Sequence, residues 1–542
     1  MSMPAVAQVS FYDPAFLCPR VLEPGSLVWL LATRPVVVFP ASLRVAWERA
    51  GLPGRDPWPF RVVAGVTLLR FSEEGMSRRG AARRLVTDGS WRAATGLSWQ
   101  DHTPDESELR RFERFLKGLD EGTGVRRLFL WLGHVVDVCR QNGVLGARSV
   151  WVADSTPMYC YGAILDTVRF LGDEARSLAV SWARVTGTTT DDLAREWGLP
   201  LLTALSTEGH LVDIDWSASD SRAVGVTVVA ETAVKVAHEI RQALDQVSSP
   251  GKRKRMARRC RNLLRKVQED LEADDQGRLT VARRVVEGRL VSRTDPEARH
   301  ARKSRKKTFN GFKLHVLGDA VSGLIASVCV TPANIHDGAV AHRLMSRAKE
   351  LCDDIEQVLG DTHYGSVRLR KVVRDTLGVN LVGKPQAAAR KKSDRFRKED
   401  FSIDFEQMSA TCPSGAVTKE WVWSWSSQDN VHSPRFKWRP GQCSSCPVRS
   451  RCLSTGRRQR ALVLHSQEEE LRDQRRRWQE PETRRAYRRR AEGERLIHTM
   501  TRHGCRKARA WGLQAAQVQA HVVAITANLK LLATVLAQAH QV

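Results

Sequence analysis

The sequence predicts a mixed α/β fold with a helical N-terminal domain and a cysteine-rich insertion. Short strand-like runs alternate with helical patterns between residues 146 and 385, which is typical of a mixed sheet covered by helices. Apolar and basic residues recur at helical spacing up to about residue 145, and four of the 11 cysteines fall in the polar stretch 386–480. The 542 residues suffice for about two to four domains.

The charge balance indicates a polyanionic partner. The chain has 86 Lys and Arg against 60 Asp and Glu, a net charge of +26 and a pI near 10.1. No stretch approaches the ~20 uninterrupted apolar residues of a membrane span, and the first residues lack a signal-peptide pattern. We therefore expect no membrane partner and a cytoplasmic, nucleoid-associated protein with reduced thiols.

The first 145 residues are expected to form a helical DNA-binding domain. GMSRRGAARRLVTDGSW (75–91) and DESELRRFERFLKGL (105–119) both carry apolar residues at helical spacing. Arg78, Arg79, Arg83 and Arg84 lie about one turn apart, so one face could contact phosphates. A solvated basic face is the alternative interpretation.

The catalytic region is expected over residues 146–385. SVWVADST (149–156) predicts a buried strand that ends in Asp154. A mostly helical segment, about 160–300, follows and contains the basic run KRKRMARRCRNLLRK (252–266), beginning at Lys252 and Arg253. Such a run cannot be a core, so it is either a DNA-contacting helix or a solvated one.

The second half of this region alternates strands and helices. Residues 309–338 predict a β-hairpin, 339–352 a helix, 355–361 a strand ending in Asp361, 366–377 a helix and 379–385 a strand. Polar residues in the loops after the hairpin and after Asp361 are candidate supporting or DNA-contacting groups. They are Asn334, His336, Asp337, His363 and Tyr364.

Three carboxylates are candidate magnesium ligands. Asp154 and Asp361 each follow a predicted strand, where rigid carboxylates can hold Mg²⁺, although an Asp at a strand end more often caps a turn. The third candidate is Glu494, which shares one helical face with Tyr487 and Arg490 at offsets of seven and four residues. A solvated Arg–Glu pair is the alternative there, and Glu492 is a nearby competitor.

The order of these motifs resembles bacterial insertion-sequence DDE transposases. It comprises DST (154–156), TPANIHDG (331–338), GDTHYGS (360–366), a cysteine-rich insertion, the Tyr487-x2-Arg490-x3-Glu494 helix and RHGCRKARAWG (502–512). The resemblance runs from about residue 70 to 535 and is strongest to the branch with an N-terminal helical domain before an RNase H-like core. It implies C-terminal helices, 481–542, that carry the catalytic Glu.

The family signature ends in a lysine seven residues after the Glu, and this sequence departs from it there. Thr501 occupies that position, and Arg502 follows. The substitution leaves open which residue makes the terminal phosphate contact and whether the protein is active.

The resemblance implies a DNA transposase that binds terminal inverted repeats and cuts and joins strands. Two Mg²⁺ or Mn²⁺ ions would bridge Asp154, Asp361 and Glu494, with Tyr487, Arg490 and Arg502 on the DNA. The enzyme would act as a homodimer or a larger assembly on double-stranded DNA. A non-catalytic DNA-binding protein and an RNase H-like nuclease that cuts without joining are the alternatives.

The clustered cysteines are candidate zinc ligands. Cys443 and Cys446 have the Cys-x2-Cys spacing that lets two sulfurs face one ion, with Cys412 and Cys452 nearby. Unliganded thiols are the alternative, because the other spacings are not those of a standard ribbon. The family resemblance favours a structural Zn²⁺, which would help a polar segment, 386–480, to fold.

Overall fold

The computed structural model describes residues 22–50, 56–118, 124–203, 214–283, 286–303, 307–385, 394–426 and 431–539. These residues divide into two compact units. Unit 1 comprises Met1–Ser149, Asp154–His336 and Glu494–Val542, and unit 2 comprises Val150–Ala153 and Asp337–Gly493.

Unit 1 begins with helices, as the sequence predicts. They are α1 (Leu27–Thr33), α2 (Pro35–Val38), α3 (Ala41–Arg49), α4 (Phe60–Ser72), α5 (Arg78–Thr87), α6 (Gly89–Thr95), α7 (Glu106–Lys117) and α8 (Gly124–Gln141). Their core is aromatic: the ring of Phe112 lies 5.2 Å from that of Trp47 and 5.6 Å from that of Phe60. Ser77 caps α5 by accepting a hydrogen bond from the backbone of Gly80, so the helical pattern of 75–91 begins as a helix only at Arg78. Asp88 accepts hydrogen bonds from the backbone of Ser90 and Trp91 and starts α6, so the pattern forms two helices.

A second helical group in unit 1 has its own core. It contains α9 (Thr167–Thr186), α10 (Thr190–Trp197), α11 (Ser219–Gln242) and α12 (Pro250–Asp270). The basic run lies on α12, where Met256, Cys260 and Leu263 are buried in that core. The expectation that this run contributes nothing to a core was therefore wrong: the apolar residues at helical spacing pack inward while most of the cations face outward. Lys266, at the end of the run, is itself buried and pairs with Asp270 at 2.6 Å.

Two short strands, β2 (Leu271–Ala273) and β3 (Leu279–Val281), form a hairpin after α12. The expected hairpin of residues 309–338 is confirmed as β5 (Thr308–Asp319) paired with β6 (Ile325–Pro332), and β4 (Arg299–Arg302) lies antiparallel to β5. Strand β1 (Trp151–Tyr159) is also hydrogen-bonded to β5.

The last helix of unit 1 is α20 (Leu513–Ala539), and it packs on α8, β6 and α4. Its Asn528 side chain exchanges two hydrogen bonds with the backbone of Ile325, at 2.9 and 2.8 Å. The helix is long and apolar enough to cross a membrane, but 72% of the residues in its most apolar stretch are buried. That burial is typical of a core helix.

Unit 2 contains the first residues of β1 and two strands parallel to them. β7 (Gln357–Gly360) pairs with residues 151–153 of β1 on one side and with β8 (Asn380–Val382) on the other. The helices α13 (Gly338–Leu351) and α14 (Val367–Leu377) connect these strands. Both helices and both strands agree with the sequence prediction, and together with β4–β6 they confirm the α/β fold class.

The remainder of unit 2 is a small β-rich region followed by helices. Its strands are β9 (Ser402–Asp404), β10 (Ser409–Thr411), β11 (Val417–Thr418), β12 (Trp421–Ser426), β13 (Val431–Lys437) and β14 (Ala461–Val463), with short helices α15 (Pro440–Ser444) and α16 (Arg449–Cys452). Its small apolar core contains the buried rings of Phe401, Phe436 and Trp438. Helices α17 (Glu468–Arg477) and α18 (Pro481–Arg488) follow, and α19 (Glu494–Met500) begins in unit 1.

Candidate active site

Asp361 lies immediately after β7 and organises the turn there. Its Oδ1 accepts hydrogen bonds from the backbone N–H groups of His363 at 2.8 Å and Tyr364 at 3.2 Å. Its Oδ2 lies 3.1 Å from Nδ1 of His363. The turn-capping role that is usual for such an Asp is present here, and the carboxylate stays 28% exposed.

Asp337 and His363 lie close to Asp361 in unit 2. One ligand atom from each of the three residues falls within 4.8 Å of the others, a grouping that could hold a metal ion. Asp337 is buried, directly before α13, and His363 is exposed. Sequence reasoning gave both residues only a supporting role. The distance of Asp337 from Asp361 depends on the packing of α13 beside β7, which no local pattern reveals, whereas His363 lies in the same turn as Asp361.

Tyr487 and Arg490 also lie near Asp361. The Tyr487 hydroxyl accepts hydrogen bonds from the backbone of Lys384 and from the Arg490 side chain, and the Asp361 charge is close enough to act on it. Burial raises the pKa of this hydroxyl above its ordinary value, although Arg490 and the Lys384 backbone oppose the shift. The ring packs edge-on against Trp478 at 4.9 Å.

Asp154 lies inside strand β1, because the strand continues to Tyr159. The expectation of a strand ending in Asp154 was wrong, because pairing with β5 continues beyond this residue. Just after the end of β1, the N–H of Cys160 donates a hydrogen bond to the Asn310 carbonyl at 3.3 Å. In unit 2, Trp151, Val152 and Ala153 are in register with Val358, Leu359 and Gly360. Asp154 and Asp361 are therefore the next residues after a paired Ala153 and Gly360.

Glu494 directly follows a glycine that packs against β1. A Cβ atom on Gly493 would lie 2.4 Å from Cγ1 of Val152, so only glycine allows this approach. Glu494 is exposed and starts α19, while residues 489–493 form a tight 3₁₀ turn. The segment is therefore not the continuous α-helix that the shared-face argument assumed. Glu492 instead pairs with Arg489 at 3.0 Å.

Thr501, at the position where the family signature has lysine, is turned inward. It is buried, and its hydroxyl donates to the backbone carbonyls of Ile497 or His498 at 3.0 and 3.1 Å. Arg502 is exposed. Farther along, Nη1 of Arg506 lies 3.4 Å from Oγ1 of Thr156, which shares a strand face with Asp154. The sequence gave no signal for this arginine beyond the RHGCRKARAWG motif.

The other candidate residues in the loops differ in their exposure to solvent. Tyr364 is fully buried, so it cannot contact DNA, and its contribution is the backbone N–H given to Asp361. In unit 1, His336 is exposed and Asn334 is partly buried, with an Oδ1 atom that has no hydrogen-bond partner among the described residues.

Most of the arginines predicted on the N-terminal basic face are already paired. Arg78 contacts Glu113 at 2.6 Å, Arg79 contacts Glu106 at 3.4 Å, and Arg84 pairs with Glu73 and Asp88. Arg83 is exposed. On α12, Lys252 is exposed, whereas Arg253 donates to the backbone carbonyls of Val247 and Asp245.

The four clustered cysteines meet in the β-rich region of unit 2. Cys412, Cys443, Cys446 and Cys452 line one cavity of about 180 Å³. Burial raises the pKa of the Cys452 thiol, and the other three sulfurs raise it further while Arg460 opposes them. The cysteines lie beside the small apolar core of this region. The polar composition of residues 386–480 did not predict such a core.

Two family models match the sequence. One, described as "Transposase DDE domain", matches residues 411–533, and the other, described as "Transposase domain (DUF772)", matches residues 44–114. The first match includes Tyr487, Arg490 and Glu494 and begins after Asp361. No curated protein and no solved structure matches the chain.

Proposed function

The two matched domains identify this chain as a relative of the insertion-sequence DDE transposases, enzymes that act on DNA, and on that premise we propose its mechanism. The protein binds the terminal inverted repeats of an element, cleaves a strand at each end and joins it to target DNA. Asp154, Asp361 and Glu494 hold the divalent metal ions that this chemistry uses.

The observation that carries this proposal is the arrangement of three residues of unit 2. Ala153 and Gly360 are paired in register on parallel strands, and Gly493 packs against Val152 of the same strand. Asp154, Asp361 and Glu494 are the residues that directly follow these three in the chain. This supports a common metal site. Each of the three carboxylates belongs to the residue next to one that is already fixed by packing, so its backbone position is already restricted.

The residues fit a hard divalent cation. DDE transposase domains generally use divalent metals, and carboxylate oxygens are the ligands that Mg²⁺ and Mn²⁺ prefer. Asp337 and His363, which are grouped with Asp361, would be further ligands or close neighbours of the bound cation. Two bound ions would supply an activated water and stabilise the leaving 3′ oxygen.

The neighbouring side chains have separable roles in the proposed site. The two backbone N–H groups and His363 hold the Asp361 carboxylate in one orientation. Tyr487 holds the Arg490 guanidinium near Asp361, where this cation can contact a DNA phosphate. Because strand transfer requires no covalent protein–DNA intermediate, Tyr487 is a positioning residue and not a nucleophile.

The test is strand cleavage on element-end DNA with Mg²⁺ by Asp154→Asn, Asp361→Asn and Glu494→Gln. Each should lower the cleavage rate by at least about 100-fold while duplex binding stays within about threefold, because only the metal ligands change. Glu492→Gln is the matched control, since this neighbouring carboxylate pairs with Arg489.

Near-normal cleavage by any of the three variants would remove that residue from the metal site. A loss of cleavage in Glu492→Gln equal to that in Glu494→Gln would mean that the local helix, and not one carboxylate, is required. Restoring cleavage with Mn²⁺ in a variant that is inactive with Mg²⁺ would support direct ligation.

We further propose that DNA is held by the helical domain of residues 1–145 and by the exposed face of α12. Arg83 and Lys252 are exposed on these two elements, and Arg502 is exposed after α19. Arg78, Arg79 and Arg253 make a smaller contribution to DNA binding, because each already has an intramolecular partner. Joining two element ends requires two copies of the protein on one DNA complex.

We also propose a structural Zn²⁺ bound by Cys412, Cys443, Cys446 and Cys452. Four thiols around one cavity are a suitable donor set for tetrahedral zinc. The region that contains them would be the cysteine-rich insertion predicted from the sequence. Its small core suggests that zinc adds rigidity to a segment that already has apolar packing.

A second candidate function, DNA binding without catalysis, is favoured by Thr501. Its hydroxyl is engaged inside the protein, so it cannot replace a lysine that contacts DNA. This candidate predicts duplex binding with no metal-dependent cleavage by the unaltered protein. A nuclease without joining activity would cleave but give no strand-transfer product in the same assay.

A further inference from the structure

Exposed aromatic rings surround the end of β1, and the proposed cleavage chemistry does not use them. Tyr159, Tyr161 and Trp511 are 38%, 49% and 58% exposed. They are three of the six strongly exposed Trp, Tyr and Phe side chains in the part of the chain that the structure describes; the others are Trp99, Trp423 and Trp425. Large rings are rarely left in water in one place without a partner.

The backbone holds these rings on one surface of unit 1. The N–H of Tyr159 donates to the Arg506 carbonyl at 2.9 Å, and the N–H of Ala508 donates to the Tyr159 carbonyl at 2.8 Å. The ring of Tyr161 meets that of Trp511 edge-on at 5.7 Å. We call Tyr159, Tyr161, Arg506, Lys507 and Trp511 the aromatic–basic surface.

Cations lie among and beside the rings. Arg506 and Lys507 are exposed, and Arg506 reaches Thr156 on β1. Tyr159 also packs edge-on against Phe309 at 6.4 Å, next to the turn between β4 and β5. Among the described residues at the end of β4 and the start of β5, Arg302, Lys303 and Lys307 are exposed cations. The surroundings of the rings are therefore mostly basic; the exposed Glu297, whose Oε2 accepts a hydrogen bond from the Leu513 N–H at 2.9 Å, is an acidic neighbour of Trp511.

We propose that the aromatic–basic surface binds unpaired nucleotides of the DNA substrate. Rings that stack on bases and cations that follow the phosphates are the two components of single-strand binding sites. In a duplex the base faces are covered, so exposed rings would gain little from it. The surface requires no specific base, because every base has a face for stacking.

This inference rests on the proposed function and adds the path of the DNA strand relative to the proposed metal site. Tyr159 lies five residues after Asp154 on β1, a distance of ~16 Å at 3.3 Å per residue. Since a base-paired strand advances about 3.4 Å per nucleotide and an unpaired strand can extend further, the surface would contact bases within about five nucleotides of the cleaved bond. The DNA would be locally unpaired at that distance.

A protein partner fits this surface less well. The cores of protein–protein interfaces are depleted in lysine, whereas the exposed Lys303, Lys307 and Lys507 lie beside these rings. The net charge of +26 also favours a polyanion. A second copy of this chain would bring the same cations against each other.

The experiment measures binding of the full-length protein to an oligo-dT strand of about 12 nucleotides and to a duplex of equal length. EDTA is present so that no cleavage occurs. Trp511→Leu should weaken single-strand binding about tenfold, whereas Trp511→Phe, which keeps a ring, should weaken it less than about threefold. Both variants should bind the duplex within about threefold of the unaltered protein.

Unchanged single-strand binding by Trp511→Leu would overturn the inference. An equal loss in Trp511→Phe, or an equal loss of duplex binding, would also overturn it, because stacking would not be the cause. So would a changed oligomeric state with unchanged DNA binding. Since this assay involves no cleavage, its outcome is independent of the Asp154→Asn result that tests the proposed function.

Discussion

Individual carboxylates in this protein differ in how many hydrogen bonds they accept. Asp361 receives two backbone N–H groups and a histidine and still has an exposed oxygen. Asp295, in contrast, is fully buried, and its Oδ1 accepts one hydrogen bond from Gly512 at 3.2 Å. Its Oδ2 has no hydrogen-bond partner among the described residues. A buried charge with so few partners destabilises the folded state.

Burial raises the pKa of Asp295 to about 6, with a smaller contribution from Glu297, against the opposing effect of the Gly512 N–H. The folded protein therefore binds this proton more tightly than the unfolded chain, whose Asp has a pKa of 3.8. The contribution of this group to stability is largest below pH 4 and is lost as the pH rises to about 6.

Asp295→Asn should therefore stabilise the protein more at neutral than at acidic pH. We expect the free energy of unfolding to rise by about 2–3 kcal/mol at pH 7.5 and by about 1 kcal/mol at pH 4.5. Urea denaturation at the two pH values measures this. The exposed Asp275→Asn is the control and should change neither value, while an equal gain at both pH values for Asp295→Asn would contradict the electrostatic explanation.

At the scale of elements, the sequence predicted those strands and helices whose periodicity is local. The β5–β6 hairpin, α13, β7 and α14 all lie within a few residues of their predicted bounds. Strand β1 was predicted too short, because its later residues depend on hydrogen bonds to segments more than 100 residues away, at Asn310 and Arg506. No local pattern carries that information.

The candidate site shows the same division. Asp361, Tyr487 and Arg490 were predicted from motifs, and the structure brings them together in unit 2. Sequence reasoning assigned Asp337 only a supporting role, because its grouping with Asp361 depends on the tertiary position of α13. The 3₁₀ turn before Glu494 was missed because Gly493 is needed for close packing on Val152, a contact that the sequence does not reveal.

The β-rich region makes a prediction about zinc. The purified protein should contain about one Zn²⁺ per chain, measured by elemental analysis, and Cys443→Ser should lose most of it because a tetrahedral site needs all four ligands. A chelator should lower the thermal unfolding temperature of the unaltered protein. Because the region keeps its own core around Phe436, we expect partial and not complete unfolding.

Cys352→Ser is the control for the zinc prediction. This cysteine is buried elsewhere in unit 2, so its substitution should leave the zinc content unchanged. Zinc retained in full by both Cys443→Ser and Cys446→Ser would exclude the cluster as the binding site.

At the scale of the whole molecule, the net charge of +26 should make duplex binding strongly dependent on salt. Each phosphate contact contributes about 0.9 to the slope of log K against log salt concentration. Replacing Lys252, Lys254 and Arg255 on α12 with glutamine should lower this slope by about two to three if that face contacts DNA. Fluorescence anisotropy over a series of salt concentrations measures it.

A second triple substitution removes the same charge elsewhere. Lys419, Arg457 and Arg458 are exposed in the β-rich region, and their replacement with glutamine should change the slope by less than one. Equal effects of the two triple variants would mean that DNA responds to the overall charge and not to α12.

The burial of α20 has a consequence for the order in which the chain is made. This helix is the last described element, yet it fills the core beneath α4, α8 and β6, which are synthesised long before it. Residues 513–539 must therefore be synthesised before the N-terminal helices can complete their packing. A premature stop codon before residue 513 would leave those apolar faces uncovered, so even a late truncation would yield an aggregation-prone product instead of a stable shortened protein.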